Sequence, residues 1–296
     1  MMSHRVLLTQ FPANAGPLRS AAFTLVELLA VMSIVLIMAA LVIPAFNAIT
    51  GAGDVTKAAY DLAGALELAR TYALANNTYV WVGFYEDDET QSSPNAIATG
   101  KGGRVILSVV ASRNGTRYND AMNVIPKAFG SGDPNNMVAL AQVNKLIKID
   151  NVHMAALNSG LPSGATNPVR PPVASAYQVG DSSSSSPNNA GGPFALTTDY
   201  PSGNQTTFTY PVPPSATVQT TSPQYTFAKI IEFNPQGEAS KITENTYNGA
   251  GPQSFMEIAL QPTHGGAVAP PYAGTANAAA AIQIEGLSGQ VKIYRP

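Results

Sequence analysis

From Leu28 to Phe46 the chain runs nineteen residues without a charged side chain. At about 1.5 Å rise per residue, a helix of that length covers roughly 28 Å, close to the hydrocarbon thickness of a bilayer. A surface helix of a soluble domain keeps its apolar residues to one stripe, and a buried strand stops after ~4–8 residues. The segment from Phe23 to Ile49 holds one charge, Glu27, and reads as a transmembrane or assembly helix over residues 23–50. Arg5, Arg19 and His4 precede it, whereas Asp54 and Asp61 are the first acids after Glu27. The excess of basic residues before the span puts the N-terminus in the cytoplasm and everything after residue 50 on the far side.

Three kinds of segment compete for this stretch. A secretory signal peptide has an apolar core of only ~7–15 residues, followed by a small-residue cleavage site. A plain signal anchor fits the length but leaves Glu27 unexplained, because an acid near the centre of an apolar span costs roughly 2.5–3.5 kcal/mol, and less near its edge. The third kind gives the carboxylate a task.

Phe23-Thr-Leu-Val-Glu27, preceded by a basic leader and followed by the apolar run, resembles the prepilin-type cleavage and methylation segment of type IV pilins and type II secretion pseudopilins. The resemblance implies that residues 1–22 are a leader removed by a prepilin peptidase between Ala22 and Phe23. It also implies N-methylation of Phe23, pairing of Glu27 with the N-terminal amine of a neighbouring subunit during assembly, and a helix kink at Pro44. Ala22 stands where that family prefers Gly. The implied location is the bacterial inner membrane, single-pass, with a periplasmic or surface-exposed head.

Beyond the anchor, Gly51-Ala-Gly53 permits a break, and Asp54 is a plausible N-cap for a second, amphipathic helix over residues 51–77. Val55, Ala59, Leu62, Leu66, Ala69 and Ala73 recur at alternating four- and three-residue spacing, one apolar stripe suited to packing on a sheet. Asn76-Asn77 closes that helix. Thr78 to Tyr85 reads as a strand rich in β-branched and aromatic residues, with Arg104 to Ala111 as its neighbour. Strands bounded by Gly or Pro follow at 229–237, 255–260 and 281–294, and Met137 to Met154 suggests a short helix and a strand. The expected fold class is α+β: a long N-terminal hydrophobic helix, then an antiparallel β-sheet head over 78–296 with one sheet on the amphipathic helix.

The passage from Leu66 to Val82, an alanine-rich helix with the Ala69-Arg70 pair leading through Asn76-Asn77 into a hydrophobic strand, is similar to the H-type minor pseudopilins. A long insertion rich in Ser, Pro, Asn, Gly and Thr at about 160–222 is unusual for them, and points to a specialised relative such as the prepilin-like D protein of the Verru_Chthon cassette type. Its Ser182–Ser186 run and Pro211-Val-Pro-Pro214 offer little apolar surface to offset ordering entropy, so the insertion reads as a solvated excursion.

The chemistry-bearing residues are sparse. There is no cysteine, which removes thiol nucleophiles and cysteine-ligated metal, and His4, His153 and His264 are far apart in sequence. No nucleophile elbow, phosphate loop or zinc-binding helix motif is present. Glu86-Asp87-Asp88-Glu89 lacks the spaced ligands and central Gly of a calcium loop and reads as a solvated hairpin tip. A formal charge of −2, with only Lys292 and Arg295 near the C-terminus, gives no reason to expect nucleic acid as a partner. Neither a cofactor nor a metal is expected, and the sequence points to a non-enzymatic subunit. Its implied partners are the prepilin peptidase, other pseudopilins, an inner-membrane assembly platform and membrane lipid. The competing expectation is a membrane-tethered binding protein that recognises an exported protein or polymer through the inserted loop.

Overall fold

The computed structural model describes residues 24–88, 103–113, 115, 140–155, 169–174, 177–180, 208–212, 224–227, 229–241, 253–263 and 280–295, with the backbone element alone at 41–51, 88 and 155. The chain divides into two compact units, Met1–Ala45 and Phe46–Pro296.

Helix α1 runs Leu25–Asn76. In the second unit it passes through Gly51 and Gly53, so the expected break is absent and Asp54 lies inside the helix rather than at an N-cap. Each glycine costs about 1 kcal/mol against alanine, but ending one helix and nucleating another costs more than continuing it. The stripe is where the spacing put it: Val55, Ala59, Leu62, Leu66, Ala69 and Ala73 are all buried, and Ala58 and Ala65 widen it. Asn77 ends the helix with φ 48°, a left-handed conformation that asparagine tolerates, and the Thr78 N–H caps the Ala73 carbonyl at 3.1 Å.

Twelve strands follow among the described residues: β1 Val80–Asp88, β2 Gly103–Ser112, β3 Leu140–Gln142, β4 Ile147–Asp150, β5 Val152–Ala155, β6 Phe208–Tyr210, β7 Tyr225–Phe227, β8 Lys229–Phe233, β9 Ala239–Lys241, β10 Phe255–Pro262, β11 Ala280–Glu285 and β12 Val291–Tyr294. The fold is α+β with antiparallel sheets. There are two main sheets where one was expected, plus a two-stranded ribbon. The first has the order β3-β2-β1-β8-β9, with β4 sharing the β2 edge with β3; the second is β12-β11-β10-β5; the ribbon is β6-β7. The chain changes sheet at Asn151, whose φ of 63° turns β4 sharply into β5. Between 140 and 155 it forms strands and no helix.

Alternation along the strands sorts two cores. Val80, Val82 and Phe84, with Val105, Leu107 and Val109, join the α1 stripe and Met256, Ile258, Leu260, Ile282 and Ile284 of the second sheet. Trp81, Ile106 and Val110 face the other way and are covered by Phe208, Tyr225 and Phe227 of the ribbon. Gly83 admits that cover, because a Cβ there would lie 2.5 Å from Phe208 Cζ and 2.7 Å from Phe227 Cβ. Part of the insertion is thus built into the head rather than being solvated throughout. Its Ser182–Pro193 portion lies outside the described residues.

Candidate functional site

The first described residues form a reciprocal helix cap. Thr24 precedes the helix, and its carbonyl accepts the first intrahelical bond from Leu28 N–H at 3.1 Å. The Glu27 N–H donates to Thr24 Oγ1 at 3.2 Å, and the Thr24 N–H donates back to Glu27 Oε2 at 3.3 Å. The Thr24 hydroxyl lies 3.2 Å from the same carboxylate oxygen. Two amide groups that the helix geometry leaves without partners are satisfied this way, and the anion sits at the positive end of the helix dipole. The sequence carries this signal as Thr-x-x-Glu before an apolar run.

After this cap come apolar residues that the described part of the chain leaves exposed. Within the first unit Leu25, Val26, Leu28, Leu29, Val31, Met32, Ile34, Val35, Leu36, Ile37 and Met38 are between 52% and 78% exposed, on every side of the helix. Among the described residues no helix is long and apolar enough to cross a membrane, and the described side chains of this stretch end at Ala40. Of the residues singled out from the sequence, Glu27 is placed at the cap. Pro44 falls within the bounds of α1 with its side chain outside the described set, and Ala22 and Phe23 lie outside the described residues.

The first two residues of the acidic run are not solvated. Glu86 and Asp87 continue β1 and are fully buried, while Glu89 lies outside the described residues. The Glu86 carboxylate reaches from the first sheet to the second: Oε1 is 2.7 Å from His153 Nδ1, and Oε2 accepts the Met154 N–H at 3.2 Å. Alternation placed Glu86 on the core face, where a carboxylate must be paired to be tolerated. Its partner is non-local, so no local spacing marks it. Nearby, Arg104 pairs with Asp150 across β2 and β4, and that bond above all raises the guanidinium pKa. Among the described residues no three acidic or histidine side chains are grouped to hold a metal. His4 and His264 lie outside the described residues.

A second buried ionic cluster joins the insertion to the head. Arg170 grips Glu257 of β10 with both Nε and Nη2, the latter at 2.7 Å from Oε1. Gln178 and Gln283 donate to the same carboxylate at 3.2 and 2.9 Å. Because β5 pairs only with the far half of β10, the near half is free to take Gln178 in a parallel bridge to Glu257. Lys229 then donates to the Val179 carbonyl at 2.8 Å, linking this segment to the first sheet.

The Ala69-Arg70 pair also has a structural task. Arg70 Nε donates to the Ser288 carbonyl at 2.8 Å, and Glu67 accepts the Val291 N–H at 3.3 Å, so α1 holds the β11–β12 turn. Gly289 makes that approach possible, with φ 64° and a Cβ position only 2.1 Å from the Gly237 carbonyl. Lys292 is exposed, and the Arg295 guanidinium lies 4.9 Å from the Tyr60 ring centroid.

No family model, no curated protein and no solved structure matches this chain.

Proposed function

We propose that the chain is a non-catalytic, prepilin-like subunit, a minor pseudopilin of a type II secretion or type IV pilus-like envelope assembly. One observation carries this reading: a helix start whose apolar side chains are exposed all round, opening on a capped acid. In water such a surface would aggregate, so it needs lipid or the helices of other subunits around it. The uncharged sequence continues to Phe46, enough for a bilayer. Residues 1–22 are the leader, Phe23 the methylated N-terminus and Glu27 the residue that pairs with a neighbour. The prepilin peptidase, other pseudopilins, an inner-membrane platform and membrane lipid are the partners, and the head lies on the periplasmic or surface side. The long N-terminal hydrophobic helix of the pilin type belongs to this proposal.

Mass spectrometry of the N-terminal peptide tests the first step: a mature chain starts at N-methyl-Phe23. Glu27→Ala should leave cleavage and membrane level unchanged, because it makes the span more apolar, and should abolish crosslinking to other pseudopilins. An uncut chain in a host with active peptidase refutes the reading.

A membrane-tethered binding protein is the second reading. It is favoured by the insertion, whose residues 169–174, 177–180 and 208–212 are folded onto the head. Such a protein needs an anchor but neither cleavage nor Glu27, so the same two measurements separate the readings.

A further inference from the structure

We propose that the Glu86–His153 contact is a proton-dependent joint between the two sheets, tight when the imidazole is protonated and loose when it is neutral. Glu86 stands on β1 of the first sheet and His153 on β5 of the second, two residues past the left-handed turn at Asn151 where the chain changes sheet. Both side chains are buried, and Oε1 lies 2.7 Å from Nδ1. The second oxygen accepts the Met154 N–H at 3.2 Å. The backbone of β2 closes over the pair, because a Cβ on Gly103 would lie 2.2 Å from Glu86 Oε1 and 2.7 Å from the Val152 carbonyl oxygen. One carboxylate thus holds both the side chain and the backbone of β5 against the first sheet.

A carboxylate so enclosed is balanced by an imidazolium, whereas a neutral imidazole leaves it as a buried net charge. The charged groups around it are engaged with other partners: Arg104 of β2 pairs with Asp150 of β4, Lys148 of β4 lies over the Tyr225 ring, and Lys229 of β8 donates to the Val179 carbonyl. Asp87, buried and next on β1, adds a second acid beside the site. Folding brings the carboxylate to the imidazole and so favours a proton there, while the unfolded chain offers no such partner. The stabilisation is therefore present below the ordinary histidine value of about 6.5 and is lost as pH rises beyond it.

The test uses the full-length chain in detergent micelles between about pH 5.5 and 7.5, the span in which histidine ordinarily changes charge. Hydrogen exchange of the β5 segment, corrected for the intrinsic pH dependence of exchange, should show protection falling about tenfold across that window. In nitrogen-labelled histidine spectra, the His153 ring is assigned by its loss in His153→Gln, and it should be mostly protonated at about pH 6.5. His153→Gln keeps a hydrogen-bond donor without a titrating proton, so its β5 protection should not change with pH. Glu86→Gln removes the charge that the imidazolium balances and should abolish the fall as well. Protection in the parent that is flat or rises with pH overturns the proposal. So does a parent ring that is mostly neutral at about pH 6.5, or a His153→Gln chain that keeps the parent's fall. Ring charge and β5 protection are both read on the parent, so they decide the matter even where a variant fails to fold.

Discussion

At the residue scale, two positions show how little room the head leaves. Gly83 lies on the face of β1 that meets the ribbon, and a methyl there would overlap two phenylalanine side chains. Gly83→Ala should lift the ribbon and cost about 1–3 kcal/mol, the usual range for overpacking. Trp81, the only tryptophan, is buried beneath that ribbon with its indole N–H on Glu232 at 2.9 Å. Its emission should shift to the red in the variant, and unchanged emission with unchanged urea stability would contradict the packing described.

Lys241 is the second position. Burial lowers its pKa to about 8 from an ordinary 10.5. The unfolded chain therefore binds more protons than the folded one between those values, and this group's contribution to stability rises with pH across that window. The cost is fully present below pH 8, on the order of 1–2 kcal/mol after allowing for residual solvent screening. Lys241→Met should stabilise the head at pH 7 and flatten the rise between pH 8 and 10 in urea titrations. Above pH 10 Tyr85 acts in the opposite sense. Burial first, then Asp87 and Tyr225, raise its phenol pKa, so its contribution is lost as the unfolded chain ionises.

At the element scale, the insertion is held to the second sheet by a buried ion pair. Removing one partner leaves the other charge buried and costs about 3–5 kcal/mol, while replacing both by apolar side chains of similar volume is close to neutral. Arg170→Ala should show the large loss in chemical denaturation, and the double variant Arg170→Met, Glu257→Gln, whose amide oxygen still accepts from Gln178 and Gln283, should recover part of it. A single variant as stable as the parent would mean that the pair does not hold the segment. Both buried clusters were illegible in the chain for one reason. Arg170 and Glu257 are 87 residues apart, and Glu86 and His153 are 67 apart, so no local spacing marks them.

At the scale of the whole molecule, every described buried residue of the main core lies at or beyond Val55. A chain beginning at Asp54 should therefore fold with its melting temperature within a few degrees of the full-length head transition, and on the proposed function it should not associate with membranes. A molten fragment would show that the head depends on what precedes it. Some features are legible from the chain alone because they are written in local spacing. The α1 stripe, the Asn76-Asn77 stop, the β1–β2 pairing and the uncharged N-terminal run all repeat or end within a few residues, and so are set by periodicity, capping and hydropathy. Long-range contacts set the number of sheets, the burial of Glu86 and Asp87, and the folding of parts of the insertion onto the head. Each of these depends on which distant side chain satisfies a buried charge or covers an apolar face, and alternation along a strand cannot say which partner will be there.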